Sequence, residues 1–528
     1  MQVEAGGQFA RAAQKFGDRV ALTTREGSRT FEALNRAAAL IGSGISVFGA
    51  RPGERVGVLS YNRPEVVEVW LGLEKHNLVR VVLHSHFDMA VHVNTLNQVG
   101  ARSLVFDTRF NSAVESHRGD MKTVKSFIAI GPDVPHWATP YAEVAAAGSP
   151  TEPRIDVDEN DPCFIQLTTG TTGIPKPWVA THRSWRTVNA FNLEHFDSFA
   201  PGIAALGPQD VNLHFHALQW ATGFQTMLPY MLRGARTVIL DDEEFDPTEV
   251  VNSMVREGVT GMFVPAPMLG PILDEIEARG SIAHKLTRVV VFFATPDFLE
   301  RVTKVLGPVW CHGFGATEQG APTTRLTCAE AAENPEHIAS VGRNASPFFE
   351  VAIMNERGER LETREVGEIV VRSPMSSSRY WEMPEKTAES FFPGGWFRPF
   401  DIGYLDEDGF LFYLDRATDQ VTTSGGVAYP HVVEIAILQH ESVRNCGVVG
   451  IGAEGAQEVV AGVLLKQGIE GSPDLERAII VTAKANLKPY ECPSRVVFVD
   501  DLPTVLGGAK VQREVLRERL TVAPGGDS

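Results

Sequence analysis

Short apolar runs alternate with amphipathic stretches along most of the chain. Residues 54–62 (ERVGVLSYN) read as a buried strand. Residues 64–77 (PEVVEVWLGLEKHN) space their apolar side chains near 3.6 and predict a helix. NLVRVVLH is the next predicted strand, and SLVFD follows another helical stretch. This β-α-β-α-β order implies a parallel sheet covered by helices on both faces. The pattern recurs in FDPTEVVNSMVREG (helix), TGMFVP (strand) and RVVVFFA, whose unbroken apolar character suits a central parallel strand.

From about Val351 the texture changes. FEVAIMNERGERL, GEIVVRSP and YLDEDGFLFYLDR alternate with turn signals and predict antiparallel strands forming a small barrel. After Arg416 comes a smaller α/β segment. HVVEIAILQH and LERAIIVTAKANL are its helices, and NCGVVGIG, EVVAGVLLK and RVVFVD its strands. The expected organisation is α/β: a large N-terminal domain (1–414) of two β/α subdomains plus a small β-barrel, then a small mobile α+β C-terminal domain (415–528).

The formal net charge of −18 leaves no basic face for nucleic acid or anionic membranes. The five cysteines form no CxxC pair, so a metal or disulfide framework is not indicated and a reducing cytoplasm fits better. The first twenty residues contain no apolar signal region, and no apolar run approaches the roughly 20 residues of a membrane helix.

The densest chemical signal is QLTTGTTGIPK, Gln166 to Lys176. It follows the strand-like FIQL and precedes the helix-like HRSWRTVNAFN. Glycines and small hydroxyl residues (Thr168, Thr169, Gly170, Thr171, Thr172, Gly173) allow backbone N–H groups to turn toward an anion, and Lys176 adds a point positive charge. A P-loop would end in Gly-Lys-Ser or Gly-Lys-Thr, and this loop does not. Without further context a polar surface loop would be an equal reading.

That loop resembles the phosphate-binding signature SGTTGxPKG of the adenylate-forming superfamily, which holds acyl-CoA synthetases, luciferases and peptide-synthetase adenylation domains. Further likenesses follow in the family's order. GFGATE (Gly313 to Glu318) resembles YGxTE. The resemblance implies that Phe314 and Gly315 lie near the adenine, that Thr317 meets the α-phosphate, and that Glu318 holds Mg²⁺ and is catalytic. GWFRPFDIGYLDEDG resembles GWFRTGDLGYLDEDG and implies that Asp401 accepts bonds from the ribose. DRATDQVTTSGGVAYPHVVE implies Arg416 beside the nucleotide, a hinge at Thr418, and a pantetheine tunnel at Ser424, Gly425 and Gly426. LKPYECPSRVVFVDDLPTVLGGAKVQREVLRERL puts Lys510 at the adenylation lysine. Ala294 and Thr295 fall in the segment that lines the nucleotide. The acyl pocket is expected from His216, Trp220, Phe224, Phe292, Phe293 and Gly315, with His216 also counted by the resemblance among the catalytic residues.

The resemblance implies ATP or AMP as acyl-AMP, Mg²⁺ and coenzyme A, and a ligase that makes an acyl-CoA thioester from a hydrophobic aryl, fatty or polycyclic acid. The segment NLHFHALQW lacks the aspartate with which amino-acid-specific relatives pair an α-amine. Within this general likeness, the chain is similar to the acyl-CoA ligases of bacterial natural-product pathways. Several positions depart from the pattern. GGAK replaces SGK, with one extra residue before Lys510, and Thr418 is an uncharged hinge. Pro177 replaces a glycine, Pro399-Phe400-Asp401 stands for TGD, Phe292 to Asp297 (FFATPD) for SGGAPL, and Asn77-Leu78 for Gly-Ala. These changes bear on nucleotide handling, while Ser424-Gly425-Gly426 is intact. Two other functions therefore stay open. One is thioesterification of an acyl-adenylate supplied by a partner adenylating enzyme. The other is loading of a carrier protein's pantetheine thiol.

Overall fold

The computed structural model describes residues 1–168, 175–320, 322–374, 379–505, 508 and 510–522. Two large sheets form the body of the N-terminal part. In the first, Val79–Leu83, Arg55–Leu59, Ser103–Asp107 and Ser126–Ile130 run parallel, as their apolar runs predict. Pro162–Thr168 joins them parallel to Val79–Leu83. In the second, Val211–His214, Gly261–Pro265, Arg288–Phe292 and Trp310–His312 form the parallel centre. Helices cover these strands because both faces are apolar; every residue of Val79–Leu83, Ser103–Asp107 and Gly261–Pro265 is buried.

One edge of the first sheet and both edges of the second turn antiparallel. One of these edges corrects an expectation. The Gly/Thr loop does not run from a strand into a helix. Lys176–Thr181 is a further strand, antiparallel to Pro162–Thr168. The helix His182–Asp197 starts only afterwards, closed by a reciprocal capping box between Thr181 and Ser184.

The antiparallel unit after Val351 has five strands. Glu350–Met354, Gly367–Arg372 and the long Trp396–Leu405 pair in sequence, and Phe391–Phe392 and Leu411–Arg416 flank the two halves of the long strand. The smaller C-terminal unit packs three helices on Val443–Ile451, Glu458–Leu465 and Arg495–Phe498. Its apolar cluster is separate from those of the large sheets. No helix among the described residues is long and apolar enough to cross a membrane.

Candidate active site

In parallel sheets, loops leaving the C-terminal ends of strands gather at one edge, and ligands bind there. Several predicted segments leave such ends: 315–320 beyond Trp310–His312, Phe293 to Thr295 beyond Arg288–Phe292, and 216–220 beyond Val211–His214. Thr168 is buried at the end of its strand. Thr169, Gly170, Thr171, Thr172 and Gly173 lie outside the described residues.

The Glu318 carboxylate accepts a hydrogen bond from the Tyr380 hydroxyl at 2.8 Å. Burial and the adjacent Glu318 charge hold that phenol far above its usual range, so it stays a donor. Tyr380 carries no motif of its own. It arrives because Arg379–Tyr380 pairs with Lys176–Thr181, setting Tyr380 opposite Trp178 with ring centroids 4.9 Å apart. Lys176 is half-buried. Desolvation first, and Lys386 second, lower its ammonium pKa, while Glu389 and Glu318 oppose them. Lys386, another residue without a sequence signal, bonds Glu389 at 2.8 Å and lies 4.5 Å from the Phe400 ring centroid.

Asp401 and Arg416 oppose one another across the Trp396–Leu405/Leu411–Arg416 pairing, with Nε to Oδ1 at 3.6 Å. Asp401 is buried, and its Oδ1 has no hydrogen-bond partner among the described residues. Desolvation raises its pKa to about 6 against the pull of Arg416 and Lys510. Lys510 is brought to the same place. Burial first, then Arg416, lowers its pKa to about 8, with Asp419 and Asp401 opposing. Ahead of it, Thr504–Val505 pairs antiparallel with Lys510–Val511 as a hairpin. Gly508, at a φ of +92°, turns that hairpin against the large domain, where an added Cβ would stand 3.4 Å from Pro267.

The left-handed backbone positions explain three departures from the family pattern. Asn77, Phe293 and Phe400 have φ of 51°, 59° and 62°. Each replaces a glycine of the resembled motif and keeps the conformation that glycine adopts without steric cost. Asn77 suits it best, and its side-chain oxygen faces His182 Nε2 at 3.3 Å.

Beside Gly315 and Thr317 opens a cavity walled by Phe87, Phe196, Trp220, Phe263, Phe292 and Phe293. Two expected pocket residues are not on its wall. His216 stacks behind Trp220, centroids 5.1 Å apart and 14° from parallel, and burial lowers its pKa to about 4. Phe224 points into the core between Trp70 and Trp185, under the buried Arg80 guanidinium. Both stand in the segment of the real lining residues, Phe224 on the helix Ala221–Leu232 and His216 in the irregular stretch before it, and periodicity alone could not decide that they turn inward. Conversely, His84, Asn192, His195, Gln225 and Thr226 line the cavity without having been expected to. The helical spacing of Asn192 and His195 was a signal available beforehand.

Phe314 is buried, 6.2 Å from Tyr413, and its N–H donates to Thr324. Thr295 caps the helix Pro296–Leu306 by accepting from Phe298 N–H, and Ala294 packs on the adjoining core. Ser424, Gly425 and Gly426 form a separate hairpin turn on the C-terminal unit, packed against Tyr490. Thr418 is exposed and bonds Asp419. The structure therefore gathers Lys510, Asp401, Arg416 and Glu318.

One carboxylate with a neutral donor beside it fits an Mg²⁺ carried in by phosphates, since that ion takes few protein oxygens. No cluster of three or more metal-ligating side chains occurs among the described residues.

The family model of AMP-binding enzymes matches residues 9–381, and the model of the AMP-binding enzyme C-terminal domain matches residues 432–506. The chain belongs to the AMP-binding enzyme family. It is 30% identical over 519 residues to the 2-succinylbenzoate–CoA ligase of Geobacillus kaustophilus, covering 95% of each chain. It is 28% identical over 497 residues to the medium/long-chain-fatty-acid–CoA ligase FadD8 of Mycobacterium tuberculosis, covering 91% of this chain and 84% of that one. In fold it is similar to the anthranilate CoA ligase AuaEII in complex with anthranoyl-AMP, with a TM-score of 0.90 at 21% identity over 99% and 98% of the two chains. The AMP-binding protein is thus an enzyme whose curated relatives are named acid–thiol ligases.

Proposed function

We propose that this AMP-binding enzyme converts a hydrophobic carboxylic acid, through its acyl-adenylate, to an acyl-CoA thioester. The observation that carries the proposal is the meeting of Lys510 with Asp401 and Arg416, beside an aromatic cavity that opens at Gly315 and Thr317. The relatives' names, which include CoA ligases of fatty and aryl acids, support the same class.

In the first step a carboxylate oxygen of the acid attacks the α-phosphorus of ATP. The acyl–O–P bond forms, the α–β bridge breaks, and pyrophosphate leaves with the electron pair. Two anions must approach, so the protein's share is positioning and neutralisation. Lys510 and Lys176 supply charge, and Asp401 orients the ribose. Mg²⁺, held at Glu318, would neutralise phosphate oxygens when bound. In the second step a thiolate of CoA attacks the acyl carbon, the C–S bond forms, and AMP departs. That step needs the turn Ser424 to Gly426 at the cleft, so the unit from residue 415 onward must rotate about the hinge at Thr418.

The test separates the two halves. Lys510→Ala should slow pyrophosphate exchange at least 100-fold, while thioester formation from supplied acyl-AMP and CoA changes by less than about fivefold. Equal loss in both halves would overturn the assignment of Lys510. A second reading, thioesterification of an adenylate supplied by a partner adenylating enzyme, is favoured by Phe293 and Phe400 standing at glycine positions of the nucleotide segments. Absence of pyrophosphate exchange in the unsubstituted enzyme, with normal thioester formation, would select it. Replacing CoA by a pantetheinylated carrier protein in the same assay tests the third possibility.

A further inference from the structure

The acyl cavity has a chemical signature beyond its aromatic walls, and its interpretation rests on the function proposed above. Among its described lining residues there is no Asp, Glu, Lys or Arg. Yet three lining side chains carry a buried polar atom with no partner among the described residues: His195 Nδ1, His84 Nε2 and Trp220 Nε1. Buried polar groups are nearly always hydrogen-bonded, so orphans grouped on one cavity point to a ligand that completes them.

His195 is held firmly. Its Nε2 faces the Cys311 thiol at 3.8 Å, its ring lies against Phe196 and Phe199, and its carbonyl accepts from Arg325. Asn192, one turn earlier, donates to the Gln225 carbonyl at 3.2 Å. His84 Nδ1 faces the His86 N–H at 3.3 Å, which leaves Nε2 as the donor, and the ring stacks between Phe87 and Trp220. Burial keeps both imidazoles neutral.

We infer that the substrate is a monocarboxylic acid with an uncharged, ring-bearing body that carries at least one hydroxyl group, received by His195. A hydroxyl both donates and accepts, so it satisfies Nδ1 in either tautomer of the imidazole. A second charge on the body would have no counter-ion in the cavity and would be desolvated there.

The experiment uses three acids on one skeleton: 3-phenylpropanoate and its 4-hydroxy and 4-carboxy derivatives. Each is prepared as the non-hydrolysable acyl-sulfamoyl-adenosine, and binding is measured by calorimetry, so that no turnover is required. The hydroxylated compound should bind about 10-fold tighter than the parent, and the carboxylated one at least 100-fold weaker. In His195→Phe the ratio of hydroxylated to parent affinity should fall to about one. His195→Leu, a smaller apolar replacement, should bring the same ratio to about one and serves if the first variant does not fold. Equal binding of hydroxylated and parent compounds, or tight binding of the carboxylated one, would overturn this inference alone. Failure of all three to bind would overturn it together with the proposed function.

Discussion

At the scale of single residues, the site keeps two ionisable groups away from their ordinary behaviour. The Asp401 carboxyl is raised from 3.8 to about 6 because burial desolvates it, against the pull of Arg416 and Lys510. A raised carboxyl stabilises the fold fully below its unfolded pKa and loses that contribution as pH climbs through about 6. The difference amounts to about 3 kcal/mol above that pH. Asp401→Asn should therefore raise the melting temperature at pH 8 but not at pH 4, while weakening nucleotide binding. Paired thermal melts at the two pH values check this. Lys510 is lowered to about 8, so its positive charge is lost as pH rises past that value. Pyrophosphate exchange should decline across pH 8, and Lys510→Arg, which stays charged, should remove that limb of the profile. Phe293 differs in kind. It is 55% exposed in a left-handed conformation, so it contributes strain without burial. Phe293→Gly should change stability by less than about 1 kcal/mol, because relief of strain offsets chain entropy. Phe293→Val should cost about 1–2 kcal/mol, since branching at Cβ worsens the clash. Urea titration distinguishes the two.

At the scale of elements, two hairpin pairings matter, Pro162–Thr168 with Lys176–Thr181 and Val421–Thr423 with Gly426–Ala428. The strand Lys176–Thr181 was not expected, because KPWVAT is too short and too interrupted by Pro177 to announce itself. Tertiary pairing forms it: Trp178 is buried against Tyr380 and Phe397. This pairing aims the Tyr380 hydroxyl at Glu318. Trp178→Ala should cost about 3–5 kcal/mol and also raise the KM for ATP, because Tyr380 loses its backing. Retention of wild-type KM in a variant that melts early would limit Trp178 to a packing role. The hairpin at Ser424 to Gly426 is tight for another reason. A Cβ on Gly425 would stand 2.8 Å from that of Tyr490. The family resemblance had already marked those glycines, but their packing against Tyr490 was not legible in the sequence.

At the scale of the whole molecule, one arginine ties the C-terminal helix to the chain at the domain boundary. Arg513 pairs with Glu434 and Asp419 within the C-terminal segment and approaches Asp415 of the preceding strand at 3.9 Å. Asp415 is buried and pushed up to about 7, by desolvation first, and accepts from the His431 and Arg416 N–H groups. Removing Arg513 leaves Glu434 and Asp415 buried without their cation. Arg513→Met should cost about 3–5 kcal/mol and let protease cut near residue 418 faster than the intact chain allows. Limited proteolysis with mass readout would show it.

The alternation of apolar runs determined the parallel sheets by itself, because strands buried on both faces must be apolar throughout. The motif residues likewise singled out Glu318, Asp401, Arg416 and Lys510 as candidates, since their chemistry is bound to short local patterns. Only the tertiary structure decided which aromatic residues face the cavity. Trp220 lines it, while His216 and Phe224 from the same stretch turn into the core. It also brought in His195, His84 and Tyr380, whose neighbours are distant in the chain. Local periodicity fixes which face of an element is apolar, but not whether the space beyond that face is filled by protein or kept open for a substrate.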